Sequence, residues 1–311
     1  MSHPAAGKPA EGQPDGANGK GKQRWQWWHT AGVLILPAGI ILVGLLVRPT
    51  QAFIATMALL LAFGFVCGQG ITGLWRGLLI DDRNKMSLSR LQLTLWTVVI
   101  LSGLVTAALS NVAAGFEHPL DITIPEELLL LMGISTTSLV ASPLIRSNKR
   151  IGPRAQEQLA ENIGNLAEQE GVDTNEVTER LREPRGVEVG NRSPRHARWS
   201  DLFRGEEAGN AAHLDLGKVQ NFYFTLILVI SYAVVLATEF GIGAGVLEMP
   251  ALSVGAVTML GISHAGYLTY KATPHTSRQA GQPGSPTPTQ PDAAARREQG
   301  SLEHPETEPT E

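Results

Sequence analysis

The residues of this chain that could do chemistry in an apolar setting are few, and most come in pairs. Gln92 and Gln220 each follow a cation by two positions, in Arg90-Leu91-Gln92 and Lys218-Val219-Gln220. Ser135 and Ser263 each close a Gly-Ile-Ser, and His264 follows the second where Thr136 follows the first. An amide both donates and accepts, a hydroxyl does the same on one atom, and an imidazole changes charge near neutral pH. The chemistry open to this set is hydrogen bonding between helices, a hydroxyl-lined path, or proton passage at His264. A proton relay in a membrane needs further ionisable partners, and the apolar runs around His264 hold no carboxylate. His264 is therefore expected to pack and hydrogen-bond. For Gln92 and Gln220 two readings stand: the amides meet each other, or each meets headgroups and backbone.

Two acidic pairs, Asp81-Asp82 and Glu206-Glu207, offer oxygen ligands of the kind a divalent cation takes. Arginines stand close to both, so the expected role is a charge-balanced interfacial loop. The chain has no glycine-rich phosphate loop, no His-Glu-x-x-His and no Gly-x-Ser-x-Gly. Its one cysteine, Cys67, excludes an intrachain disulfide and a Cys-based metal site. No catalytic, cofactor-binding or metal-binding residue is expected, and the chain is read as a non-enzyme.

The elements that must position these residues are long apolar runs. They cover about 30–47, 52–73, 91–113, 128–146, 219–239 and 252–270. Each is near the roughly 20 residues that a helix needs to cross a bilayer. Helices are the expected form, because lipid offers nothing to an unpaired backbone group. The fold class is thus an all-α integral membrane protein with six transmembrane helices.

A repeat orders the last four. Leu74-Trp75-Arg76-Gly77 recurs as Leu202-Phe203-Arg204-Gly205, Thr97 as Thr225 and Gly133-Ile134-Ser135 as Gly261-Ile262-Ser263, always 128 positions on. Each copy is a two-helix hairpin with a polar lead-in. Two crossings separate the copies, so the tandem repeat is parallel, with a pseudo-twofold axis along the membrane normal. The third span also carries a small-residue stripe, Ser102, Thr106 and Ser110 beside Gly103 and Ala107, of the kind that lets helix backbones approach closely.

Charge sets the orientation. Lys and Arg crowd the N-terminal arm, the 76–90 loop and the 147–218 segment, whereas 115–126 and 240–251 hold none. By the positive-inside rule both termini are cytoplasmic. The expected organisation is a disordered arm with an interfacial Trp cluster over 1–29 and a first transmembrane hairpin over 30–75. Repeat copy one follows over 76–147, a partly helical cytoplasmic linker over 148–201 and repeat copy two over 202–271. A disordered acidic tail covers 272–311. Within the linker, Leu159, Ile163 and Leu166 recur at helical spacing, and Asp173 can cap a second short helix faced by Val177 and Leu181. These make at best a small helical hairpin, and 184–197 reads as a connecting stretch. Trp199, Leu202 and Phe203 are expected on one face of a short helix lying on the leaflet.

The segments Asp81-Asp82-Arg83-Asn84, Ser89-Arg90-Leu91-Gln92, Leu95-Trp96-Thr97 and Trp199 through Gln220 resemble those of uncharacterised bacterial integral membrane proteins. The resemblance implies a bacterial cytoplasmic (inner) membrane and no particular activity. The net charge of −4 does not suit a nucleic-acid partner. The expected partners are the lipid bilayer and a cytoplasmic protein or a second copy of the chain. Two functional classes follow: a non-enzymatic membrane scaffold or effector subunit that docks cytoplasmic partners, or a channel or passive transporter with a pathway between the repeats.

Overall fold

The computed structural model describes residues 25–147, 154–181, 188–242 and 245–273. The expected disorder before 25 and after 273 lies outside these residues, as does the 184–187 part of the connecting stretch. Eight α-helices are present among them. They are α1 (Trp27–Leu46), α2 (Pro49–Thr72), α3 (Leu88–Ala113), α4 (Glu126–Ser147), α5 (Arg154–Glu170), α6 (Thr174–Arg180), α7 (Leu216–Glu239) and α8 (Val254–Ala272). Strand pairing among the described residues is limited to isolated bridges.

Four helices, α1, α2, α3 and α7, are long and apolar enough to cross a membrane. Their outward faces are apolar too: Leu34, Ile35, Leu46 and Ile71 are exposed, as are Ile227, Ile230 and Val234. A water-soluble bundle would turn polar residues outward here, so this surface calls for lipid. The apolar stretches read over 128–146 and 252–270 form α4 and α8, which pack on each other and on α3 and α7.

Local signals explain where the helices begin. Pro49 at the first position of α2 lacks the N–H that would be orphaned there. Ser87, Asp215 and Ser253 each accept a hydrogen bond from the backbone N–H three residues on, capping α3, α7 and α8. Gly73, at φ 74°, ends α2 in the left-handed region that suits glycine. The starts of α3 and α7, Leu88 and Leu216, stand 128 positions apart, as do those of α4 and α8, Glu126 and Val254.

The bundle interior is filled. Phe53, Trp96, Leu128, Leu131, Tyr232, Leu236 and Leu260 are buried in one cluster. Trp96 and Tyr232 meet with ring centroids 6.3 Å apart, Phe53 and Phe240 at 5.4 Å. Ser102 and Thr106 of the small-residue stripe are buried. A Cβ on Gly103 would lie 3.0 Å from Leu236 and 2.9 Å from Met249, so α3 and the 249 loop approach as closely as glycine permits. At this end of the bundle Thr123 bridges Glu248, and buried Asn111 exchanges two 2.8 Å hydrogen bonds with the backbone of Val246.

At the opposite end, α5 and α6 build more than the expected small hairpin. Leu166, Ala167, Val177 and Leu181 are buried together with Val189, Ala208, Ala211 and Ala212. The loop before α7 thus completes a core that α5 and α6 could not close alone. Small alanines let this loop lie flush on α5, where Asn162 donates to the Ala208 carbonyl at 2.8 Å and Gln169 to that of Ala212 at 3.1 Å. The described part of the connecting stretch is packed as well, with Val189, Asn191 and Ala197 buried. The expected shared face of Trp199 and Leu202 does not form. Trp199–Leu202 is a short 3₁₀ helix in which Leu202 joins Leu79, Met86 and Leu88 in a third cluster while Trp199 stays exposed.

Candidate functional site

The polar end of the bundle holds two carboxylates, each met by three cations. Glu206 stands in the loop before α7. It receives Arg83 Nη1 at 3.1 Å, Lys218 Nζ at 2.9 Å and Lys271 Nζ at 2.6 Å. Arg83 comes from the turn before α3, Lys218 from the first turn of α7 and Lys271 from the last turn of α8. One carboxylate therefore ties both hairpins together. The side chains of Arg83, Lys218 and Lys271 are 3%, 4% and 8% exposed, so water does little to screen them.

The turn 81–85 presents Arg83. Asp81 Oδ2 accepts from Arg83 Nε at 2.8 Å and Nη2 at 2.6 Å, while Asp81 Oδ1 accepts from the backbone N–H groups of Arg83 and Lys85. Asn84 adopts φ 59°, a left-handed conformation asparagine tolerates. Its amide donates to the Asn191 carbonyl at 2.9 Å, and Asn191 returns the same bond to Asn84. Burial works to raise the Asp81 carboxyl, but the Arg83 guanidinium beside it brings it below its ordinary value. Burial pushes Lys85 down to about 8, against the pull of the Asp201 carboxylate.

Glu170, the last residue of α5, is the second hub. It accepts hydrogen bonds from Arg180 Nη1 at 2.7 Å and Arg204 Nη1 at 2.8 Å and forms an ion pair with Arg198 Nη1 at 2.6 Å. Burial would raise its carboxyl, yet hydrogen bonds from Arg180 and Arg204 and the charge of Arg198 hold it below the ordinary value. The two hubs are joined by one bond: Lys218 Nζ donates to the Arg204 carbonyl at 2.8 Å. The space inside the Glu206 hub, between Asp215, Lys218, Tyr267 and Lys271, is about 20 Å³. That is room for about one water-sized occupant.

The residues singled out from the sequence are distributed as follows. Gln92 is buried and donates to Thr225 Oγ1 at 2.8 Å and to the Asn221 carbonyl at 3.3 Å. Gln220 is exposed, so the two glutamines do not meet. Ser135 and Ser263 are buried, without a hydrogen-bond partner for either hydroxyl. His264 is buried and meets Ser138 Oγ through Nδ1 at 2.5 Å, joining α8 to α4. The acidic pairs contribute Asp81 and Glu206 to ion pairs, and no group of three or more metal-ligating side chains occurs among the described residues.

Glu170 and Lys271 were not singled out, although each carries a signal. Glu170 continues the spacing of Leu159, Ile163 and Leu166 on α5, which places a charge on an apolar face. Lys271 closes an apolar run near its polar end, where a headgroup contact is the simpler reading.

Comparison with protein-family models, with curated proteins and with solved structures returns no match to this chain.

Proposed function

We propose that the protein is a non-enzymatic membrane scaffold that holds a rigid cytoplasmic module for a partner to dock on. The observation that carries this reading is the Glu206 hub. It locks the loop that completes the module to both the α3 and the α7–α8 ends, so the module is a fixed surface of the membrane bundle. The equal 128-residue offsets of the helix starts support a six-span fold with a parallel tandem repeat. The cation-rich end is cytoplasmic by the positive-inside rule, which puts both termini there, and a bacterial inner membrane fits the resemblance noted above.

The module also has a face to offer. Glu157, Glu161 and Glu168 are exposed on α5, opposite the side that carries buried Leu166 and Ala167 and half-buried Ile163. An acidic stripe on a fixed support suits a partner with a basic surface, since complementary charge speeds encounter and sets register. The channel reading is less well supported, because large buried side chains occupy the space between the hairpins. The small space at the hub likewise leaves no room for an organic substrate.

A photo-crosslinker at Glu161 or Glu168 in the membrane-embedded chain should capture a discrete adduct. Reversal of Glu157, Glu161 and Glu168 to Lys should abolish it, and reconstituted protein should pass no ions. Ion flux in liposomes, or an adduct indifferent to the charge reversal, would sink the proposal.

A further inference from the structure

A second feature of the same end is an open cleft of about 580 Å³ between the 3₁₀ helix Trp75–Leu79, α6 and the Pro194–Trp199 stretch. Four arginines line it: Arg76, Arg180, Arg195 and Arg198. Glu170 engages only two of them, Arg180 and Arg198. Among the described residues, no carboxylate pairs with Arg76 or Arg195, and Arg76 Nη2 spends one donor on the neutral Arg195 carbonyl at 3.0 Å. The Nε–H groups of Arg76 and Arg180 have no acceptor, although the Arg180 side chain is only 9% exposed. Among the described residues, the cleft wall therefore holds positive charge that its carboxylates do not balance. Two exposed glutamates at the rim, Glu176 and Glu179, are outnumbered two to one by these guanidinium groups. His196, also in the wall, is held below its ordinary value by burial and by the charges of Arg180 and Arg198, the sign expected of a positive field.

The position of the cleft says what should fill it. α2 ends at Thr72, and Trp75 follows at once on the cleft's own 3₁₀ helix. Trp75 is 60% exposed and Trp199, on the cleft wall, 59%. Exposed indoles beside the end of an apolar span mark headgroup depth, where the ring is apolar and its N–H stays wet. A guanidinium presents a planar fork that matches two phosphate oxygens. We propose that the cleft binds the phosphate of an anionic phospholipid headgroup, with Arg76 and Arg195 as its principal ligands and Arg198 at its side. The acyl chains then run along the exposed side of α2. This proposal does not depend on partner docking, since the cleft lies apart from the acidic stripe of α5.

The test uses the full chain in detergent, with native mass spectrometry after addition of phosphatidylglycerol, phosphatidylcholine or inorganic phosphate. Wild-type protein should retain phosphatidylglycerol over phosphatidylcholine. The double variant R76Q/R195Q spares the Glu170 pairs and should melt like wild type. It should weaken phosphatidylglycerol retention roughly twenty-fivefold, at about fivefold per cation near a membrane surface. If the double variant unfolds, R195Q alone, at an exposed position, should still weaken retention about fivefold. Equal retention of the two lipids, or unchanged retention in R195Q, overturns the proposal. Displacement of bound lipid by millimolar inorganic phosphate overturns the lipid assignment in favour of a free anion.

Discussion

Glu206 and Lys271 stand 2.6 Å apart, and their contact fastens the last turn of α8 to the loop that precedes α7. Lys271 Nζ also donates to Tyr267 Oη at 2.9 Å, one turn earlier on the same helix. The lysine is thus held by at least two acceptors and the carboxylate by at least three cations. Removing a charge from such a set leaves its partners in low dielectric without compensation, which costs more than the pair itself contributes.

That asymmetry predicts a large effect for Glu206→Gln. The amide keeps the volume but takes a buried carboxylate from Lys218 and Lys271 and leaves Arg83 with Asp81 alone of its two carboxylates named above. The expected loss is about 3–5 kcal/mol, read as a drop in the melting midpoint of the detergent-solubilised chain. Added salt should rescue little, because screening acts weakly on buried groups. A midpoint within a degree of wild type would show that the hub is not closed in solution.

The acid limb of the stability profile should report Glu170. Its carboxyl lies below the ordinary 4.5 in the folded chain, so the unfolded chain binds the proton first. The stabilisation it provides is fully present above the unfolded value and is lost as pH falls through the lower folded value. Glu170→Gln should therefore reduce the difference in stability between pH 6 and pH 3, and loosen α5 first. Hydrogen exchange across Leu159–Glu170 at the two pH values checks this. A variant with the wild-type acid slope would place the acid-sensitive group elsewhere.

The parts of this fold that local chemistry dictates could be read from the chain. Apolar length marked the helices, and Asp173 caps α6 where its spacing to Glu176 suggested, accepting from Asn175 at 2.7 Å. The charged hubs could not be read in the same way. Glu170 finds Arg204, and Arg83 finds Glu206, only because the loop 205–215 folds back onto α5. That return is driven by three buried alanines, Ala208, Ala211 and Ala212, which carry almost no periodic signal. The same limit applies to Gln92. Its partner lies on the helix that repeat symmetry pointed to, but five positions beyond Gln220, because the neighbouring helices are in contact with an axial offset.

Two glycines of the repeated Arg-Gly motif now have a physical reason. A Cβ on Gly77 would run into Thr72 Oγ1 and approach the Gly68 carbonyl oxygen to 2.5 Å, while one on Gly205 would run into both Oδ1 and the backbone carbonyl oxygen of Asn210. Both sites are closed by neighbouring atoms, not by an unusual φ. Gly77→Ala must push the 3₁₀ helix off α2 and should cost about 1–3 kcal/mol by overpacking. Gly205→Ala meets the backbone carbonyl of Asn210 as well as its side chain, and if Asn210 shifts it loses its hydrogen bond to the Glu207 N–H. Both changes are therefore expected to lower the melting midpoint. A wild-type midpoint in both variants would mean that the two loops open readily.

The Gln92–Thr225 bond makes the sharpest test of how the hairpins meet. Its two ends are not equivalent. Thr225→Val removes the 2.8 Å acceptor and leaves a buried amide with only the Asn221 carbonyl at 3.3 Å. Gln92→Leu leaves a threonine hydroxyl, which can turn to a carbonyl one turn back in its own helix. An unsatisfied buried group costs more than a bond contributes. Thr225→Val should therefore be the worse single change, by about 1 kcal/mol, and Gln92→Leu/Thr225→Val together should cost less than the two added. Interhelical hydrogen bonds in membranes average about 0.6 kcal/mol and reach about 1.7. A coupling of that size in a double-mutant cycle, measured by reversible unfolding in detergent, is the expected outcome. Strict additivity would show that α3 and α7 do not meet at this register.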